Sequence, residues 1–140
     1  MDISEIKDRI AGYCAEKQEV VACYLFGSRA AGNNRQWSDL DIAFLLDDGV
    51  PVSLYNGLRF AIIGELGRLT RLDIHLLIMN NAGELILDQV FRKGVCVYSR
   101  NTDALRAFRR HRLPMIAEFN YYVEMMRTKL KQRYGGQAHG

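Results

Sequence analysis

The sequence predicts one α+β domain in which about four short strands alternate with helices, followed by a long helical C-terminal segment. Short apolar runs rich in Val, Ile, Phe and Tyr stop at glycine or acidic turns, as buried strands do. The stretches between them repeat their apolar residues at helical spacing. A composition of 49% hydrophobic and 25% charged residues in a 140-residue chain suits one folded core and excludes a disordered or fibrous protein.

The elements follow in order. An Asp2-x-x-Glu5 capping pattern starts a helix whose apolar positions are Ile3, Ile6, Ile10 and Tyr13. Residues 20–26 form an apolar strand that stops at Gly27-Ser28, a tight turn. Gly32, Asn33 and Asn34 leave room for at most a short helix and a loop before a second strand at residues 39–46, which ends in Asp47-Asp48-Gly49. Beyond Pro51, residues 53–69 place Leu54, Leu58, Ala61, Ile62, Leu66 and Leu69 on one stripe, a helix with Ser53 as its cap. Residues 72–79 form a third strand, and residues 82–92 a helix that Gly94 ends. Residues 95–98 form a closing strand. Residues 102–133 are helical with a break at Pro114, and residues 135–140 form a flexible tail. A single domain over residues 1–134 is expected, its core at about residues 5–100.

The first residues lack the apolar stretch of a signal peptide, and no apolar run reaches the roughly 18 residues that cross a membrane. The cysteines (Cys14, Cys23 and Cys96) are odd in number and lie in apolar surroundings, as reduced core residues of a cytoplasmic protein do. A net charge of +3 is too small to signal nucleic-acid binding by itself.

The second strand is the informative one. Leu40, Ile42, Phe44 and Leu46 share one face by the period of two, so Asp39 and Asp41 project together from the other. Two like charges side by side near a core repel and lose hydration, and a cation between them removes both objections. Paired carboxylates with water are what Mg²⁺ prefers. Asp73 repeats the anomaly in the third strand, and adjacency of the two strands would bring three carboxylates together. Taken singly, each aspartate also fits a turn cap or an edge-strand charge. Gly27-Ser28 stands at the end of the first strand, where glycine admits a close ligand and exposed N–H groups with the Ser28 hydroxyl grip phosphate oxygens. Neither a Walker motif nor Gly-x-Gly-x-x-Gly occurs, so the sequence holds neither a P-loop nor a dinucleotide-binding turn.

Gly27-Ser28, ten residues, then Asp39-x-Asp41, with Asp73 on a later strand, resembles the signature of the DNA polymerase β-like nucleotidyltransferase superfamily. The context from Phe26 to Gly32 and from Ser38 to Ile42 is similar to its minimal nucleotidyltransferase (MNT) branch. Four fixed residues coincide by chance in on the order of one chain in a thousand, so the match outweighs a cap or an edge charge at each aspartate. The resemblance implies the polymerase β-like fold, a small mixed sheet of about four strands packed with helices. It implies that Asp39, Asp41 and Asp73 hold two Mg²⁺ ions and carry catalysis, that Gly27, Ser28 and Arg29 bind the nucleotide, and that ATP is the substrate. Small members of this branch resemble the antitoxins of HEPN–MNT toxin–antitoxin systems, which adenylylate a tyrosine of a HEPN ribonuclease. The absence of a separate acceptor-binding segment suits that role.

Two other functions are separable by experiment. Transfer to a small-molecule hydroxyl, such as an antibiotic's, predicts activity without a protein partner. A non-catalytic binding antitoxin predicts neutralisation that survives loss of the aspartates. His75 is expected to be a hydrogen-bonded histidine, and Trp37, Asn33 and Asn34 to be loop packing. The basic residues Arg100, Arg106, Arg109, Arg110, Arg112, Arg127, Lys129, Lys131 and Arg133 are expected to present a solvated face or to receive a partner protein, in preference to RNA.

Overall fold

Asp2 caps the first helix as its sequence requires, its carboxylate accepting the Glu5 N–H at 2.9 Å, and α1 (Ile3–Ala15) buries Ile6, Ile10 and Cys14. The structure is a computed structural model that describes residues 1–27 and 39–135. In it, β1 (Val20–Phe26), β2 (Leu40–Leu46), α2 (Tyr55–Thr70), β3 (Ile74–Ile78), α3 (Glu84–Lys93), β4 (Val95–Ser99) and α4 (Thr102–Tyr134) follow in order.

The strands form one mixed sheet in the order β3-β2-β1-β4, with β1 antiparallel to both its neighbours and β2 parallel to β3. Alternation sends β2 side chains to two cores. Leu40, Ile42, Phe44 and Leu46 join Ile6, Ile10, Ile62 and Leu66 beneath α1 and α2. Ala43 and Leu45 join Leu87, Val90, Leu105 and Ile116 beneath α3 and α4. Both faces of the central strands are therefore covered, which is why β1 and β2 read as nearly continuous apolar runs. The Asn80 side chain closes the far end of β2, accepting from Leu46 N–H and donating to Leu46 O, each at 2.8 Å.

Several sequence expectations change. Ser53 does not cap the second helix: it lies in a 3₁₀ turn (Val52–Leu54), and Leu54 precedes α2 without a side-chain cap. The buried stripe of α2 is Tyr55, Ile62, Leu66 and Thr70, whereas Leu54, which precedes the helix, and Ala61 and Leu69 within it are exposed. Pro114 does not break the last helix. Leu105 and Ile116 are buried on either side of it and Arg112 donates to the Ala82 carbonyl, so both arms are anchored against the lost hydrogen bond. Cys14 and Cys23 are buried free thiols as expected, but Cys96 is exposed, because β4 is an edge strand. Arg100 is not part of the basic helix: its guanidinium donates to the carbonyls of Val20, Cys14, Ala15 and Lys17, closing the C-terminal end of α1.

Candidate active site

The antiparallel pairing of β1 and β2 places the end of one beside the start of the other, with Phe26 opposite Asp41. Gly27 follows at φ +78°, a left-handed conformation that glycine adopts without penalty. The Asp41 side chain packs directly over it: a Cβ at this position would collide with Asp41 Oδ2 and stand 3.0 Å from Cγ. The glycine read in the sequence as room for a ligand is thus also room for the carboxylate.

The parallel register of β2 and β3 builds the other side. Leu40 pairs with Ile74 and Asp41 with His75, and the Leu40 N–H donates to the Asp73 carbonyl at 2.9 Å. The condition on which Asp73 depended, that its strand lie beside the strand of Asp39 and Asp41, is met. Period two puts Asp39, Asp41, Asp73 and His75 at one end of the sheet face that carries Ala43 and Leu45 farther along. There α3 and α4 cover the sheet; at the aspartates they do not, and Asp73 and His75 are exposed.

His75 lies against the two candidate carboxylates, at ion-pair distance from both. Nε2 lies 2.9 Å from Asp39 Oδ2 and Nδ1 lies 3.4 Å from Asp41 Oδ1. A neutral imidazole carries one N–H and the charged ring carries two, so only the charged ring can offer a donor to each carboxylate. Burial pushes the Asp41 carboxyl above its ordinary pKa, His75 draws it back down, and Asp39 adds a smaller upward push.

Among the described residues no three His, Cys, Asp or Glu side chains are gathered to hold a metal ion. The convergence of three carboxylates on one point is therefore not reached in this arrangement: Asp73 adjoins the pair through the backbone, and the His75 ring lies against Asp39 and Asp41. The donor chemistry nevertheless fits a hard cation. Two partly buried carboxylates on neighbouring same-face positions need a positive partner, and all three aspartates offer oxygen. Ser28 and Arg29, with Asn33, Asn34 and Trp37, lie outside the described residues.

Nothing in the sequence signals a cleft of about 530 Å³ at the other end of β2, between Val50, Tyr55, Asn80, Phe108 and Arg112. Among the described residues its one acidic group is Asp48, and it lacks the paired carboxylates. Arg109 and Arg112 are likewise structural in part, stacking on Phe91 and Phe108.

A glycine turn at a strand end, facing acidic residues on the next two strands, defines the class. The chain belongs to the Polymerase beta, Nucleotidyltransferase family, whose sequence profile matches residues 8–103. Its fold is similar along almost the whole length to a chain of a toxin–antitoxin crystal structure with AMP-PNP, at a TM-score of 0.60 and 19% identity, covering 96% of this chain and 98% of that one. It is also similar to a chain in the structure of the tri-AMPylated Shewanella oneidensis HEPN toxin in complex with MNT antitoxin, at a TM-score of 0.56 and 17% identity, covering 98% of each. The MntA-HepT toxin–antitoxin structure gives a TM-score of 0.55 at 17% identity, over 98% of this chain and 99% of that one. No curated protein sequence matches the chain. Among the described residues no helix is long and apolar enough to cross a membrane.

Proposed function

We propose that this chain is a Mg²⁺-dependent nucleotidyltransferase that moves AMP from ATP to a tyrosine of a cognate HEPN ribonuclease toxin, and so acts as its antitoxin. One observation carries the reading: Asp41 is pressed against Gly27, with Asp39 and Asp73 beside it, at the end of one sheet face that α3 and α4 do not cover. Asp39, Asp41 and Asp73 would hold two Mg²⁺ ions, which when bound supply activation of the acceptor hydroxyl and neutralisation of the triphosphate. Gly27 and Ser28 would offer N–H and hydroxyl donors to phosphate oxygens, and Arg29 would add a guanidinium. Asp73, the most exposed of the three aspartates, accepts the proton of the attacking hydroxyl. The hydroxyl oxygen bonds to the α-phosphorus, the bond to the bridging oxygen breaks, and pyrophosphate leaves.

The acceptor is supported by the similar structures, one a toxin–antitoxin complex with an ATP analogue and another with its HEPN toxin AMPylated. It is supported also by the outer arm of α4, where Tyr121, Tyr122, Met126 and Leu130 are 43–72% exposed among Arg127, Lys129, Lys131 and Arg133. Tyr122, Met126 and Leu130 recur every fourth residue, so they form one stripe, and an apolar stripe bordered by charge suits a partner protein better than RNA.

Incubation with ATP, Mg²⁺ and the neighbouring gene's HEPN protein should leave that protein heavier by one or more AMP units. An unmodified partner while the chain consumes ATP would point instead to a small-molecule hydroxyl. Full neutralisation by Asp39→Asn and Asp41→Asn variants would make the chain a binding antitoxin.

A further inference from the structure

We propose that His75 is a resident stand-in for the cation: it bridges Asp39 and Asp41 in the resting chain, and a divalent metal reaches the pair only when the ring leaves. The inference rests on the reading of Asp39 and Asp41 as metal-holding carboxylates.

The geometry sets the three groups apart. Each ring nitrogen stands within ion-pair distance of a different carboxylate, one of Asp39 and one of Asp41, so the imidazole occupies the place between the groups that a bridging cation must join. The pair cannot serve both at once. Asp41 is the fixed member, its side chain 29% exposed and packed on Gly27. His75 is the movable one, with a side chain 65% exposed, and among the described residues its ring nitrogens meet only these two carboxylates. A rotamer change into solvent frees the site without disturbing β3, whose Ile74 and Leu76 stay buried on the opposite face. Retention of the ring as a metal ligand is disfavoured, because Mg²⁺ takes oxygen donors and imidazole suits the softer transition metals. The apparent affinity for metal is then lowered by the fraction of molecules whose carboxylates are already free.

The test is direct cation binding to the full chain at fixed pH, without nucleotide or partner, followed by calorimetry with Mg²⁺ and by electron paramagnetic resonance with Mn²⁺. His75→Ala should bind about three- to tenfold more tightly than the wild type, the effect of one or two half-exposed ion pairs that no longer compete. Asp41→Asn should lose most of the binding. In the wild type, Mg²⁺ should also shift the His75 ring resonances toward those of a solvent-exposed histidine. Weaker binding by His75→Ala would make the ring a ligand and overturn the inference, as would unchanged affinity with unmoved resonances. If wild type, His75→Ala and Asp41→Asn all bind alike, the carboxylates are not the metal site, and both the inference and the reading beneath it fall. Melting curves of the variants check that each is folded.

Discussion

One face of the sheet has two ends, and β2 passes through both. At the far end Ala43 and Leu45 lie under Leu87, Val90 and Leu105, sealed from water. At the near end the same face carries Asp41, with Asp39 just before it and His75 opposite, and among the described residues no helix lies over them. The change from apolar to acidic along one strand follows the edge of the helical cover. Where α3 and α4 cover the sheet, a charge would be stranded; where they stop, carboxylates keep enough water and enough neighbours to be tolerated, yet stay fixed by strand geometry. Rigidity and access thus come from different parts of one element, an arrangement suited to placing reactive groups accurately.

That contrast can be broken from either end. The largest effect is expected at the open end: Asp41→Asn should lower AMP transfer by about a hundred- to a thousandfold or more, while the melting temperature holds or rises slightly as a like-charge contact disappears. Parallel activity and melting measurements check both halves. At the closed end the pattern should invert. Leu45→Ala should cost about 2–4 kcal/mol of stability, a fall on the order of 10 °C, while the rate per folded molecule is retained.

Gly27→Ala tests the seam between strand and site. The left-handed φ and the overlap with Asp41 predict a loss of about 1–2 kcal/mol, together with roughly a hundredfold loss of transfer, because the carboxylate must move. Equal activity in this variant would mean that the position of Asp41 is unimportant. The smallest effect is expected far from both ends. Replacing Tyr122 and Met126 together by Ala should change stability by less than about 0.5 kcal/mol, yet weaken partner binding roughly tenfold. Calorimetric titration of the HEPN protein reads that directly.

Much of this was legible in the sequence, and for local reasons. Strand alternation announced that Asp39 and Asp41 share a face, and Gly27-Ser28 announced the turn. Asp2 announced its own cap. What was hidden depends on elements far apart in the chain. No residue near Asp73 states that β3 pairs in parallel with β2, yet that register sets His75 opposite Asp41. The overlap of Gly27 with Asp41 likewise arises only once β1 and β2 are aligned. Ser53 misled because a capping residue marks a helix start only if the backbone enters the helix there, and a 3₁₀ turn intervened. Pro114 signals a break from its local cost alone, which the distant contacts of Leu105, Arg112 and Ile116 offset by holding the helix on both sides.

The most direct measurement is AMP transfer to the HEPN partner by the wild type and by Asp41→Asn, followed by intact-protein mass spectrometry at equal folded concentration. Nucleotidyl transfer at the open end of the sheet predicts AMP-modified partner with the wild type and unmodified partner with the variant. Equal modification by both would contradict it.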